Sequence, residues 1–241
     1  MKQLIMNMPR KGHPYDSAFF VTPCNEHAYK VVHDVRAWIE NRLIIAADHG
    51  AGKSHLATVW QDDTLAVRCK ASELKSESLP DFAHNQHIII EDIDYYKPQQ
   101  GYNQISSSDQ EKNLLHLLNL CAQNKTYALM TSTLVPSRWP IQIADLLSRL
   151  QASTLVKIER PDDLIMRKLL TKFFVERQIV VNEKIINYLM TRLERSFSAI
   201  GKAVDHIDSY CLCEHKPLTI TTIRSVLYGE EGTDEQHIGQ E

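Results

Sequence analysis

The feature that most constrains this chain is the run Ala47-Asp48-His49-Gly50-Ala51-Gly52-Lys53-Ser54, set between a short apolar stretch and a helical pattern. A loop that wraps phosphate needs inward backbone N–H groups, a helix N-terminus behind them, a lysine and a hydroxyl. Gly50 and Gly52 let the backbone curl tightly, and Ala51 lies between them. Lys53 is placed to reach β- and γ-phosphates, Ser54 to hold Mg²⁺, and His55 opens the helix. The usual pattern begins with glycine, whereas Ala47 stands there, and its Cβ is tolerated only at negative φ.

Such a loop has to leave a buried strand and enter a helix, and the rest of the first two-thirds agrees. Short apolar runs at Arg42 to Ala47, Leu65 to Arg68, Ile88 to Ile90, Ala128 to Met130 and Leu155 to Ile158 read as strands. Helical patterns separate them, notably Asn25 to Glu40 and Asp109 to Asn124. Strands alternating with helices predict an α/β fold with a parallel sheet covered on both faces. After Pro161 the period changes. Asp162 to Arg177, Asn182 to Leu193, Ser196 to Cys213 and Thr221 to Leu227 read as helices only. The expected organisation is a tail over residues 1–12, an α/β nucleotide-binding domain over 13–160, a helical domain over 161–228 and a disordered tail over 229–241. The Gln- and Ser-rich stretch from Lys97 to Ser108 reads as a flexible loop.

The third strand ends in Glu91 and Asp92. Carboxylates at a strand end beside a phosphate loop can hold Mg²⁺ and orient an attacking water. Glu91 would serve the metal and Asp92 the water. Glu91 is one methylene longer than the Asp that usually comes first.

Composition excludes several classes. A net charge of −3 over 241 residues gives no sign of the basic stripe of a dedicated DNA-binding domain. Five cysteines, an odd number at irregular spacing, do not make a disulfide framework. Cys211 and Cys213 have no second pair to complete a zinc site, so packed thiols are expected. Apolar stretches such as Leu43 to Ala47 are far short of a membrane span, so a soluble, intracellular, cytoplasmic protein is expected. Trp38, Trp60 and Trp139 read as packing residues, and Tyr95-Tyr96 as a loop cover.

With these motifs in place, the chain resembles the AAA+ domain of the bacterial replication initiator family, DnaA, and within it the short Hda-like regulators. The residues that carry the resemblance run in order. Ser17-Ala18-Phe19-Phe20-Val21 with Asn25 and Ala28 precede the loop, and Gly52-Lys53-Ser54-His55-Leu56-Ala57 form it. Leu129-Met130-Thr131-Ser132 with Pro136 and Trp139 resemble the family's sensor strand and its exit, which makes Ser132 a nucleotide-sensing position. Asp145-Leu146-Leu147-Ser148-Arg149-Leu150 resemble the segment with the arginine finger, and Gln3-Leu4-Ile5-Met6-Asn7-Met8 a sliding-clamp-binding peptide.

The resemblance implies an AAA+ P-loop core with a helical lid, binding ADP or ATP with Mg²⁺. Gln3, Leu4, Met6 and Met8 would dock on the polymerase sliding clamp (the β subunit), giving indirect contact with DNA. Arg149 would enter the site of an ATP-bound initiator and promote hydrolysis there, preventing re-initiation; the chain's own turnover would be weak or absent. A nucleotide-sensing Arg expected in the third lid helix is replaced by Ser198, with Arg195 and Lys202 about a turn away on either side. A sequestering adaptor and a helicase-loader ATPase are the rival expectations, and a homo-oligomer stays open.

Overall fold

The computed structural model describes residues 19–94 and 107–228. The expected clamp-binding tail, Ser17 and Ala18, Tyr95-Tyr96, the loop up to residue 106 and the C-terminal tail lie outside the described residues. Five strands form one parallel sheet: β1 (Arg42–Ala46), β2 (Val67–Lys70), β3 (His87–Glu91), β4 (Tyr127–Ser132) and β5 (Thr154–Lys157). Their order across the sheet is β2-β3-β4-β1-β5.

The strands are apolar on both faces, which is why both faces must be covered. Ile44, Ile88, Ile90, Ala128 and Met130 point to one layer, with α3 (Leu79–Ala83), α4 (Ser107–Asn124) and α5 (Ala144–Ala152). Leu43, Ile45, Ile89 and Leu129, one residue out of step, point to the other. That layer holds α1 (Glu26–His33) and α2 (Lys53–Thr64), with the Trp38 ring tilted against Trp60 at 5.3 Å. The three tryptophans are buried, as packing residues should be.

A third core belongs to α6 (Asp163–Glu176), α7 (Glu183–Met190), α8 (Phe197–Glu214) and α9 (Ile220–Tyr228). Three of these helices open on side-chain caps. Asp162, Asn182 and Ser196 each accept from the backbone N–H three residues on. The fold is thus the expected α/β core followed by an all-helical unit.

Two elements depart from the sequence pattern. The second strand starts at Val67, not Leu65, because Leu65 caps α2 in the left-handed region (φ 55°) and is 88% exposed. The helix expected over Asn25 to Glu40 stops at His33. Beyond it the chain turns, with Glu40 and Asn41 at positive φ, and Trp38 donates its indole N–H back to the Val31 carbonyl at 2.8 Å. The apolar spacing continued, but through a turn that returns the chain to the sheet.

Candidate nucleotide site

The phosphate loop leaves β1 near the middle of the sheet, and β3 ends two strands away across β4. This brings the loop and the acidic strand end to one edge of a pocket of about 390 Å³. Gly50, Gly52, Lys53, Ser54, Glu91 and Asp92 all line it. Gly50 (φ +72°) and Gly52 (φ +96°) take backbone angles that side chains resist. Ala47 is not among the positive-φ residues, so its Cβ costs nothing where the usual pattern has glycine.

Lys53 is buried and donates to the carbonyls of Ala47 at 2.7 Å and Asp48 at 3.0 Å. Burial lowers its pKa, and the charges of Asp92, Asp94 and Asp48 oppose that fall. The ammonium is therefore a desolvated cation tethered at the root of the loop, where an incoming phosphate oxygen can replace a carbonyl.

Asp92 itself sits at φ +55°, with its N–H held by Thr131 Oγ1 at 3.1 Å. Asp94 ties the exits of β3 and β4 together. One oxygen accepts from the Thr133 N–H and hydroxyl, both at 2.6 Å, and from the Leu134 N–H at 2.8 Å. Ser132 is fully buried at the end of β4, donates to the Leu134 carbonyl at 2.7 Å, and does not line the pocket.

The helical unit reaches the loop directly. Phe197, the first residue of α8, donates its N–H to the Gly50 carbonyl at 2.8 Å. Its ring lies where a Cβ on Gly52 would come within 3.1 Å, and Ser196 would meet a Cβ on Gly50 at 3.0 Å. Ser198 lines the pocket, whereas Arg195 and Lys202 do not; Arg195 pairs with Asp163 at 2.6 Å. Arg149 lies outside the pocket, on α5, where it pairs with Asp145 one turn earlier at 3.2 Å.

Sequence reasoning missed Arg68. It sits on the edge strand β2, in register with Ile89, and so faces the same side as Glu91, two residues further along. Its Nη1 lies 3.9 Å from Glu91 Oε1 and its Nη2 donates to Thr58 Oγ1 at 3.0 Å. Only the strand register reveals it, since nothing in the local sequence ties β2 to the acidic strand end.

Residues 165–227 match the family model described as Hda, lid domain. This stretch is similar to the lid of Hda, and the sheet with its helical unit has the AAA+ P-loop fold. The chain's structure superposes on domain III of the Thermotoga maritima replication initiation protein DnaA with a TM-score of 0.71 at 18% identity, covering 87% of this chain and 93% of that one. AMPPCP-bound DnaA from Aquifex aeolicus gives a TM-score of 0.63 at 16% identity, over 78% and 63%. In sequence, the chromosomal replication initiator DnaA of Corynebacterium jeikeium is 22% identical over 219 residues, which is 83% of this chain but 36% of the initiator. An uncharacterised Haemophilus influenzae protein is 23% identical over 192 residues, 76% of this chain and 80% of that protein. The helical unit is thus an AAA+ lid, and α8 is the lid helix that meets the phosphate loop.

Proposed function

We propose that this chain is a nucleotide-binding regulator of replication initiation, acting in the cytoplasm at the replisome on the ATP of a DnaA-type initiator. The observation that carries the reading is a phosphate loop and a lid of Hda type in one chain, with the lid helix seated on the loop. ADP or ATP would lie with its phosphates on the N–H groups between Gly50 and Ser54, against Lys53. A nucleotide at a hundred times its dissociation constant stabilises the folded state by about 2.7 kcal/mol. That is enough to hold lid and core in one arrangement, so nucleotide here serves docking more than turnover.

The fit of a metal is poorer. Ser54 offers a hydroxyl, but the Glu91 carboxylate expected to serve Mg²⁺ faces the Arg68 guanidinium. The proposed function therefore needs no metal in this chain's own site.

Arg149 is the proposed trans residue. Its partner Asp145 is exposed, and a surface pair of this kind contributes about 0.3–0.5 kcal/mol, so the guanidinium is readily released to another chain's γ-phosphate. Gln3, Leu4, Met6 and Met8 are proposed to dock on the sliding clamp, which would confine the activity to DNA where replication has begun.

The test is hydrolysis of ATP preloaded on the initiator, with DNA-loaded clamp, with and without this protein. Stimulation lost in Arg149→Ala and in a Gln3→Ala, Leu4→Ala double variant is the expected result. Full stimulation by Arg149→Ala would remove the trans-arginine role. No stimulation by the intact protein would leave a sequestering adaptor or a helicase-loader ATPase.

A further inference from the structure

Two lysine or arginine side chains are among the described residues that line the pocket, Lys53 and Arg68. Lys53 is committed to two loop carbonyls. Arg68 is placed differently. The Thr58 hydroxyl that receives its Nη2 in turn donates to the Ser54 carbonyl at 2.8 Å. Thr58 stands one helical turn after Ser54, whose hydroxyl would hold a metal. Arg68 Nη1 faces Glu91, the carboxylate that would complete the same metal site. Its Nε is buried with no hydrogen-bond partner. A divalent cation between Ser54 and Glu91 would have to share Glu91 with this guanidinium and would be repelled by it. A phosphate oxygen arriving there would instead find a donor and a positive charge already in place.

We propose that Arg68 is the built-in cation of the nucleotide site: it neutralises Glu91, stands in for the divalent metal, and lets the chain hold a nucleoside di- or triphosphate without Mg²⁺. The proposal rests on the reading of the Gly50–Ser54 loop as a phosphate site. It also gives a physical reason for the weak turnover that the resemblance implies. A guanidinium fixed beside Glu91 supplies charge to the bound phosphates but not the metal that bridges them in hydrolysing P-loop enzymes.

The experiment is titration of the full-length protein with a fluorescent ADP analogue, in Mg²⁺ and in EDTA, for wild type, Arg68→Gln, Arg68→Lys and Lys53→Ala. Wild-type affinity is expected to change less than about threefold between the two conditions. Arg68→Gln should bind at least about tenfold more weakly in EDTA and recover part of the loss with Mg²⁺, and Arg68→Lys should stay nearer wild type. The wild-type comparison stands even if the Gln variant folds poorly, which a thermal melt would reveal. A wild-type affinity that collapses in EDTA overturns the Arg68 proposal and leaves the phosphate site standing. Binding that is absent in both conditions, or unaffected by Lys53→Ala, overturns the phosphate site itself and the proposal with it.

Discussion

Gly50→Ala tests whether the phosphate loop and the lid are mechanically one object. Gly50 sits at φ +72°, and a Cβ there would lie 3.0 Å from Ser196 Cβ, 3.2 Å from Ser196 Oγ and 3.3 Å from Ser198 Cβ. The left-handed backbone alone costs an alanine about 1–2 kcal/mol. Displacing Ser196 weakens the cap that its hydroxyl makes to the Ala199 N–H at 3.0 Å, worth about 1 kcal/mol. The bond from the Phe197 N–H to the Gly50 carbonyl, worth about 0.5–1.5 kcal/mol, strains with it. Because the cap and this bond are weakened rather than lost, the total is about 2–4 kcal/mol, much of it falling on the junction of lid and loop. Hydrogen exchange at the first turn of α8 should therefore speed up by about 30- to 1,000-fold while β1 and β4 change less. In a Ser196→Gly background the clash with Ser196 is gone, and glycine caps almost as well as serine. There the cost of Gly50→Ala should shrink toward the backbone penalty of about 1–2 kcal/mol. Exchange at residues 197–200 within threefold of wild type, or an equal cost in both backgrounds, would refute the coupling.

Other outcomes follow from single sites. Asp94→Ala removes the acceptor of three hydrogen bonds at the β3 and β4 exits and should destabilise the core by about 2–4 kcal/mol, read from denaturant midpoints. Burial raises the Cys69 and Cys121 thiols to about 12, so at pH 8 both should resist iodoacetamide in the folded protein while exposed Cys213 is alkylated first, as peptide mass spectrometry would report. Lys53 has its pKa lowered by burial from the ordinary 10.5. Between the lowered value and 10.5 the unfolded chain binds more protons than the folded one, so stability gains a term that rises with pH. Wild type minus Lys53→Met, measured by urea unfolding, should shift in favour of wild type as pH climbs through that window; a flat or falling difference would contradict the desolvation.

Much of the architecture was legible because it is written in period. β1, β3 and β4 are buried on both faces, and helices between them leave a parallel sheet as the solution. The lid helices were read from their apolar period, and in the structure Asp162, Asn182 and Ser196 cap three of them. Local pattern failed where the backbone departs from its period. Leu65 looks like the start of a strand but is a left-handed cap, and Trp38 keeps a helical spacing from Val31 while the chain between them turns. The site divides in the same way. Gly50, Gly52, Lys53, Ser54, Glu91 and Asp92 are named by motif and converge on the pocket. Ser132 was named by resemblance and is buried, outside the pocket lining.

The parallel sheet, the phosphate-loop motif and the lid helices could be read from the chain alone, because each rests on interactions between residues near in the chain or on a repeating burial pattern. Tertiary structure alone decided what stands around the loop. Arg68 reaches Glu91 only through the register of β2 on β3, 23 residues apart in the chain. Phe197 reaches Gly50 and Gly52 only because the lid folds back across about 145 residues. Such contacts depend on side-chain direction and on strand register, and a shift of one residue in either would turn the same side chains to the opposite face.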